Sequence, residues 1–360
     1  MELALYGEGG FFATGHGAGR AGGDFVTSPE TGSLFGACVA RAVDRFWVDL
    51  ERPDPMLVVE AGAGTGRLAR EVLRAEPECA PALRYVLVER SAELRSRQRE
   101  LLELEPVDEA LGPFAVRPGE DVPVPAPGAG PVCASLEELP ALHFDGLVVA
   151  NELLDNLPFG IAQLHEGRWH EVRVATSTSG GEFTELLVPT PEADADLPAD
   201  VPDGARLPIP RGMRTWLGDC SEMLRRGFVV LIDYAEDAAA LAARGDGWLR
   251  TYRAHERGTD PLADPGSQDI TGDIVLEQLE HVAHACGFVV QSVATQADWL
   301  RDLGIDDLVA GGRARWDAGA HRGDLDALAG RSRVTEGAAL TDPSGLGAHR
   351  VVVLAKRAPG

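Results

Sequence analysis

Three glycines alternate in Glu60-Ala-Gly62-Ala-Gly64-Thr-Gly66, directly after the apolar run Met56-Leu-Val-Val. Alternating glycines let a backbone bend sharply and approach a ligand where any side chain would collide. Two ligand classes use such a bend: dinucleotides, through Gly-x-Gly-x-x-Gly, and S-adenosylmethionine, through acid-x-Gly-x-Gly-x-Gly. The spacing separates them. A dinucleotide fingerprint starting at Gly62 wants a small residue at position 67, where helix and sheet pack closely, and Arg67 stands there. Glu60 points the same way, because a carboxylate repels a pyrophosphate but suits a ligand that carries an ammonium and a sulfonium. Glu89 closes a second apolar run, Tyr85-Val-Leu-Val. An acid in that place accepts hydrogen bonds from both ribose hydroxyls in either ligand class, so it marks a nucleoside without choosing one. The plain structural alternative is a glycine turn flanked by two surface acids.

Methyl transfer from a sulfonium is an in-line displacement that needs an aligned nucleophile and removal of its proton. The groups for that task are expected after the strand Gly146-Leu-Val-Val-Ala150, in Asn151-Glu152-Leu153-Leu154-Asp155-Asn156-Leu157-Pro158. Asn151, at the strand end, is assigned to the cofactor side. Glu152 and Asp155 share a face if the segment is a helical turn. Two carboxylates placed so hold a guanidinium or ammonium by charge-assisted hydrogen bonds, which makes a protein substrate with a cationic side chain, arginine above all, the favoured acceptor. Alternatively Asn151 and Asp155 cap a helix while Glu152 is solvated. Asp24 and His255 complete the catalytic candidates. His255 lies near Asp264-Pro265-Gly266 and Asp269-Ile-Thr271 in the sequence, although a lone histidine in a polar loop is more often just solvated. Trp248, Trp299 and Phe25 read as packing.

These residues need a scaffold, and the apolar runs supply it. Met56–Glu60, Tyr85–Glu89, Gly146–Ala150 and Phe228–Asp233 read as buried strands, interleaved with helical patterns at 33–50, 67–74, 91–102, 211–225 and 273–286. Strands Phe288–Val293 and His349–Ala355 follow. Such alternation predicts an α/β fold of Rossmann-like class, a mostly parallel seven-stranded sheet with helices on both faces and ligands at the carboxyl ends of the strands. The expected division is an N-terminal extension at 1–55, the first half of the core at 56–161, and a β-rich insertion at 162–210. A core helix and strand at 211–235, a loop insertion at 236–271 and the rest of the core at 272–360 complete it. Residues 105–131 give only a weak strand near Phe114–Val116, and 306–346 give no element.

The chain's 360 residues, 44% of them hydrophobic, are enough for a substantial core. Its 57 acidic against 33 basic residues give a formal charge of -24, which repels phosphate backbones and anionic lipid. Nucleic acid and membrane are therefore not expected partners and a cationic one would be drawn in, although the blander and more common reading is that such a charge serves solubility alone. Oligomeric state is left open. The cysteines, Cys38, Cys79, Cys133, Cys220 and Cys286, are odd in number and lack Cys-x-x-Cys spacing, so a reduced compartment and no metal site are expected. The start lacks the basic residues and apolar run of a secretory signal, and no apolar stretch approaches the roughly 20 residues of a membrane span, so a cytoplasmic protein is expected.

Together these segments resemble the MidA-like methyltransferases, the family of the mitochondrial complex I assembly factor type. The blocks that carry the resemblance are Gly23-Asp24-Phe25-Val26-Thr27-Ser28-Pro29-Glu30, Glu60 through Gly66, Val88-Glu89 with Gln98, and Ala150-Asn151-Glu152 with Asp155 and Leu157-Pro158. Ile232-Asp233-Tyr234, His255, Asp264-Pro265-Gly266, Asp269-Ile-Thr271 and Thr295-Gln296 continue it. The resemblance implies a class I methyltransferase fold, S-adenosyl-L-methionine as donor and arginine methylation on a respiratory-complex subunit. The family commonly has aromatic residues where this chain has Leu153 and Leu154, and Gly-Pro-Gly-Arg-Gly where this chain has Gly-Ala-Gly-Thr-Gly. A small-molecule methyltransferase and a catalytically silent assembly factor are the competing readings.

Overall fold

The computed structural model describes residues 1–12, 27–111, 128–176, 183–189, 197–198, 200–253, 256–258, 260–321 and 324–357. Asp24, Phe25, His255 and the expected strand near Phe114–Val116 lie outside them. The chain forms two compact units: Val26–Asn151, Cys220–Ile232 and Val289–Gly360 make one, and Met1–Phe25, Glu152–Asp219 and Asp233–Phe288 the other. Strands are numbered β1 to β16 along the chain.

The first of these is the sheet unit. Its strands are β1 (Met56–Ala61), β2 (Leu83–Val88), β3 (Val132–Leu136), β4 (Phe144–Asn151), β9 (Leu224–Asp233), β15 (Val289–Thr295) and β16 (Arg350–Lys356). They run in the order β15-β16-β9-β4-β1-β2-β3. β1 pairs in parallel with β2 and β4, β2 with β3, and β4 with β9, whereas β15 and β16 are antiparallel. Every residue of β1 and β2 is buried, which is why these strands read as continuous apolar runs and do not alternate. The chain leaves β1 towards β2 and β3 and returns on the other side to β4. That reversal makes the carboxyl end of β1 the switch point, where open parallel sheets bind ligands. The expected fold class and a sheet of seven strands are thus present, with Val132–Leu136, unassigned in the sequence, as one of them.

The core of this unit joins helix Ser33–Asp49, through Leu34, Phe35, Val39 and Val43, to sheet residues such as Met56, Val58, Leu147 and Val351. The described part of 306–346 is dominated by two packed helices, Ile305–Gly319 against Leu325–Leu340, a helical hairpin. Its helices touch through glycines: a Cβ on Gly312 would stand 2.9 Å from the Gly330 carbonyl oxygen, and one on Gly330 would stand 2.5 Å from that of Gly312.

In the other unit, β5 (Gly160–His165), β6 (Arg168–Thr176), β7 (Phe183–Pro189) and β8 (Arg206–Ile209) form an antiparallel sheet in the order β7-β6-β5-β8, as the alternation in 162–189 predicts. The stretch 236–271, expected as a loop, carries more structure than that. It holds helix Ala238–Ala243, β11 (Leu249–Arg253), β12 (Glu256–Gly258) and β13 (Asp269–Gly272), while β10 (Ala235–Glu236) pairs with β14 (Ile274–Val275). Trp248 is fully buried and anchors a core with Leu5, Phe11, Leu207, Leu241 and Ile270, so its expected packing role holds. The glycine-rich start also folds in part, as helix Glu2–Tyr6.

Candidate functional site

The glycine turn closes the switch-point end of β1. Gly62, Gly64 and Gly66 all adopt left-handed conformations, with φ of 70°, 53° and 81°, which is the physical reason for glycine at each. The Ala63 amide donates to the Val88 carbonyl at 3.0 Å and the Gly66 amide to the Ala63 carbonyl at 2.8 Å, so the bend is tied to the end of β2. A Cβ on Gly64 would meet no atom of the described residues within 4 Å. Among those residues, space is therefore open over the middle of the turn, on the side where a ligand would lie.

Two expected acids sit differently from one another. Glu89 is half-buried: one carboxylate oxygen accepts from the Gly64 amide at 3.0 Å and the other from the Ser91 amide at 2.8 Å. A carboxylate offers about four lone-pair positions, so two remain for a pair of ribose hydroxyls. Burial raises the Glu89 pKa, and the two amides pull it back. Glu60 is 5% exposed and turns inward, accepting from the Tyr85 hydroxyl at 2.8 Å. Burial pushes its pKa up to about 8 against the Tyr85 and Ala69 hydrogen bonds, which lower it. The carboxyl expected to face a cationic ligand instead turns inward to Tyr85 of β2, and the protonated form is favoured at neutral pH.

Gln98 is a contributor that spacing did not expose. It is fully buried on helix Ala92–Leu101, donates to the Gly64 carbonyl at 2.8 Å and accepts from the Ser135 hydroxyl at 2.5 Å. Beside it, at the carboxyl end of β3, residues 136–141 line a cavity of about 350 Å³. The Leu136 carbonyl there accepts from the Glu89 amide at 3.0 Å, tying the cavity to the acid. The left-handed turn and the spare acceptor positions of Glu89 offer the chemistry that a nucleoside site needs.

In the other unit the expected helical turn is absent. Glu152 is left-handed, with φ of 52°, and the chain enters a single 3-10 turn, Leu154–Asn156. Glu152 and Asp155 are consequently not two residues of one helix face. Asp155 is 7% exposed, and its Oδ2 accepts from the Thr271 hydroxyl, while Oδ1 has no hydrogen-bond partner among the described residues. Asp233, which the sequence marked only as a strand end, holds the turn. Its Oδ2 accepts from the Leu154 amide at 2.8 Å and the Asp155 amide at 3.3 Å. Asn156 completes the brace by donating to Asp269 at 3.0 Å. Burial raises the pKa of both Asp155 and Asp233, with the neighbouring acids raising Asp233 further. Arg250, 8% exposed, pairs with Asp273 and lies over the Tyr234 ring at 4.9 Å, supplying internal positive charge to this acidic cluster. Asn151, the last residue of β4, is half-buried.

With this geometry in place, comparison with known proteins decides the family. Residues 38–294 match the model of a family described as "Putative S-adenosyl-L-methionine-dependent methyltransferase". The chain belongs to this methyltransferase family. A crystal structure of a superfamily member from Burkholderia thailandensis, bound to S-adenosyl-homocysteine, is 26% identical with a TM-score of 0.78, covering 100% of this chain and 87% of that one. The protein arginine methyltransferase NDUFAF7 homolog, mitochondrial, of Drosophila melanogaster is 28% identical over 291 residues, 76% of this chain and 64% of its own length. The Xenopus tropicalis protein arginine methyltransferase NDUFAF7, mitochondrial, is 24% identical over 315 residues, 79% of this chain and 66% of its own. The matches thus span just under two thirds of these curated relatives. The methyltransferase fold and the donor class expected from the glycine turn agree with this family. The expected cytoplasmic location does not stand, because the relatives are named as mitochondrial. Among the described residues no helix is long and apolar enough to cross a membrane, and no group of three or more His, Cys, Asp or Glu could hold a metal ion.

Proposed function

We propose that the protein transfers a methyl group from S-adenosyl-L-methionine to a cationic side chain of a protein, arginine first, within a respiratory-complex subunit. The observation that carries the donor is the left-handed glycine turn with open space over Gly64 and Glu89 beside it. Glu89 would take the ribose hydroxyls, the Gly62–Gly66 backbone and Asn151 the remainder of the donor, and the cavity at 136–141 its base. Glu60 supports the turn from within. Bound there, the donor supplies an electrophilic methyl; everything else falls to side chains of this chain.

For the acceptor, Glu152 and Asp155 are the groups that would bind and orient a guanidinium, and Asp24 and His255 remain candidates for the same task. Asp155 keeps one buried oxygen without a hydrogen-bond partner among the described residues, and a charged N–H is the partner such an oxygen lacks. Held by a carboxylate, the guanidinium keeps its charge away from the attacking nitrogen, and the displaced proton has an acceptor nearby. The naming of the relatives as arginine methyltransferases supports this choice of acceptor. Incubation of a mitochondrial or bacterial respiratory-membrane extract with isotopically labelled donor, followed by mass spectrometry, tests the reading. Label on a protein arginine is expected, together with its loss in Asp155→Asn and Glu152→Gln that still bind donor. Label confined to small molecules rejects the acceptor, and full transfer by both variants removes these carboxylates from it.

A further inference from the structure

Arg67 occupies the position where the sequence pattern of a dinucleotide site wants a small residue, and the structure shows where the large side chain goes. Its Nε donates to the Pro29 carbonyl at 3.0 Å. Pro29 lies in a single 3-10 turn, Ser28–Glu30, which begins with a capping box between Thr27 and Glu30. A turn of this length has little stability of its own. Here it is fastened from a second side as well, since the Ser28 hydroxyl donates to the Gln296 side chain at 2.9 Å with both residues fully buried. Gln296 in turn donates to the Leu340 carbonyl at 3.2 Å. One end of the chain of contacts is thus the hairpin of the C-terminal half, and the other is the first residue after Gly66.

We infer that Arg67 is a positioning residue of the donor site: its guanidinium locks the Ser28–Glu30 turn to the start of the helix after the glycines, and so fixes the Gly62–Gly66 backbone against the bound nucleoside. This rests on the reading of that turn as the donor site. The physical need is precision. A binding backbone must be held within about 0.5 Å of its productive position by neighbours that are themselves locked. Gly62, Gly64 and Gly66 carry no side chains with which to hold themselves. Gln98 fixes the turn at the Gly64 carbonyl. Arg67 fixes its exit, where the Arg70 amide donates to the Gly66 carbonyl at 3.0 Å and the helix begins.

Calorimetric titration of the full chain with S-adenosyl-homocysteine, for wild type, Arg67→Leu, Arg67→Lys and Ser28→Ala, tests the inference beside thermal melting without ligand. Arg67→Leu is expected to raise Kd about tenfold, the equivalent of about 1.4 kcal/mol. Arg67→Lys, which retains a donor, recovers most of the affinity, and Ser28→Ala weakens binding in the same direction by releasing the same turn. A lowered melting temperature with wild-type Kd in Arg67→Leu and Ser28→Ala overturns the positioning role and leaves the donor site standing. Should Arg67→Leu fail to fold, an unchanged Kd in Ser28→Ala alone overturns it. A wild-type chain that binds no S-adenosyl-homocysteine removes the donor site itself, and the role of Arg67 with it.

Discussion

Gly64 and Glu60 show how differently two neighbours in one motif can serve it. Gly64→Ala adds a methyl that meets no atom of the described residues within 4 Å, so the cost to the fold is the added strain of a φ of 53°, about 1 kcal/mol. The same methyl projects into the space over the turn, and S-adenosyl-homocysteine affinity is expected to fall at least about tenfold, about 1.4 kcal/mol or more, by calorimetry while the melting temperature drops only a few degrees. Glu60 acts within the protein. Folding raises its pKa from 4.5 to about 8, so between those values the unfolded chain has released a proton that the folded chain retains. Stability from this group is complete below about pH 4.5 and is lost as pH rises through about 8. Glu60→Gln, neutral at every pH, removes that loss. The difference in melting temperature between variant and wild type should therefore grow in favour of the variant from pH 5 to pH 9; a constant difference would show that Glu60 is ionised throughout.

At the scale of elements, helix Ser33–Asp49 begins at Gly32, which has no side chain to cap it. The cap comes from 302 residues away: Glu336, 6% exposed on the C-terminal hairpin, accepts from the Leu34 amide at 2.9 Å and from the Ser332 hydroxyl at 2.7 Å. A carboxylate there meets both an unsatisfied amide and the positive end of the helix dipole. Glu336→Ala is expected to cost about 2 kcal/mol and lower the melting temperature by roughly 4–8 °C. A change below one degree would mean that the helix start is satisfied without it. The same hairpin shows where sequence reading stops. Continuous apolar runs announce β1, β2, β4 and β9, but a helix pair that packs through Gly312, Gly319, Gly330 and Gly337 puts small residues at contact positions where periodicity looks for large apolar ones. Helix Gln296–Asp302 is too short to show a period. The site divides along the same line: the glycine turn and Glu89 are legible because each directly follows an apolar run that the sequence itself displays. Gln98, Arg67 and Asp233 do their work through partners 34, 38 and 79 residues away. The helical turn expected at Glu152 fails because Glu152 takes a left-handed backbone, and Asp233 then caps a tighter turn.

Across the whole molecule, a formal charge of -24 repels other polyanions at long range and attracts cations. Five free cysteines, four of them buried, give no disulfide or reactive thiol a place in this account. What the molecule is for depends on the bend after β1 accepting a sulfur nucleoside in preference to a dinucleotide. Parallel calorimetric titrations of the intact chain with S-adenosyl-homocysteine and with NAD test this most directly. Saturable one-site binding of the first and no heat from the second is the predicted result; a flat titration with S-adenosyl-homocysteine, or saturable binding of NAD, would contradict it.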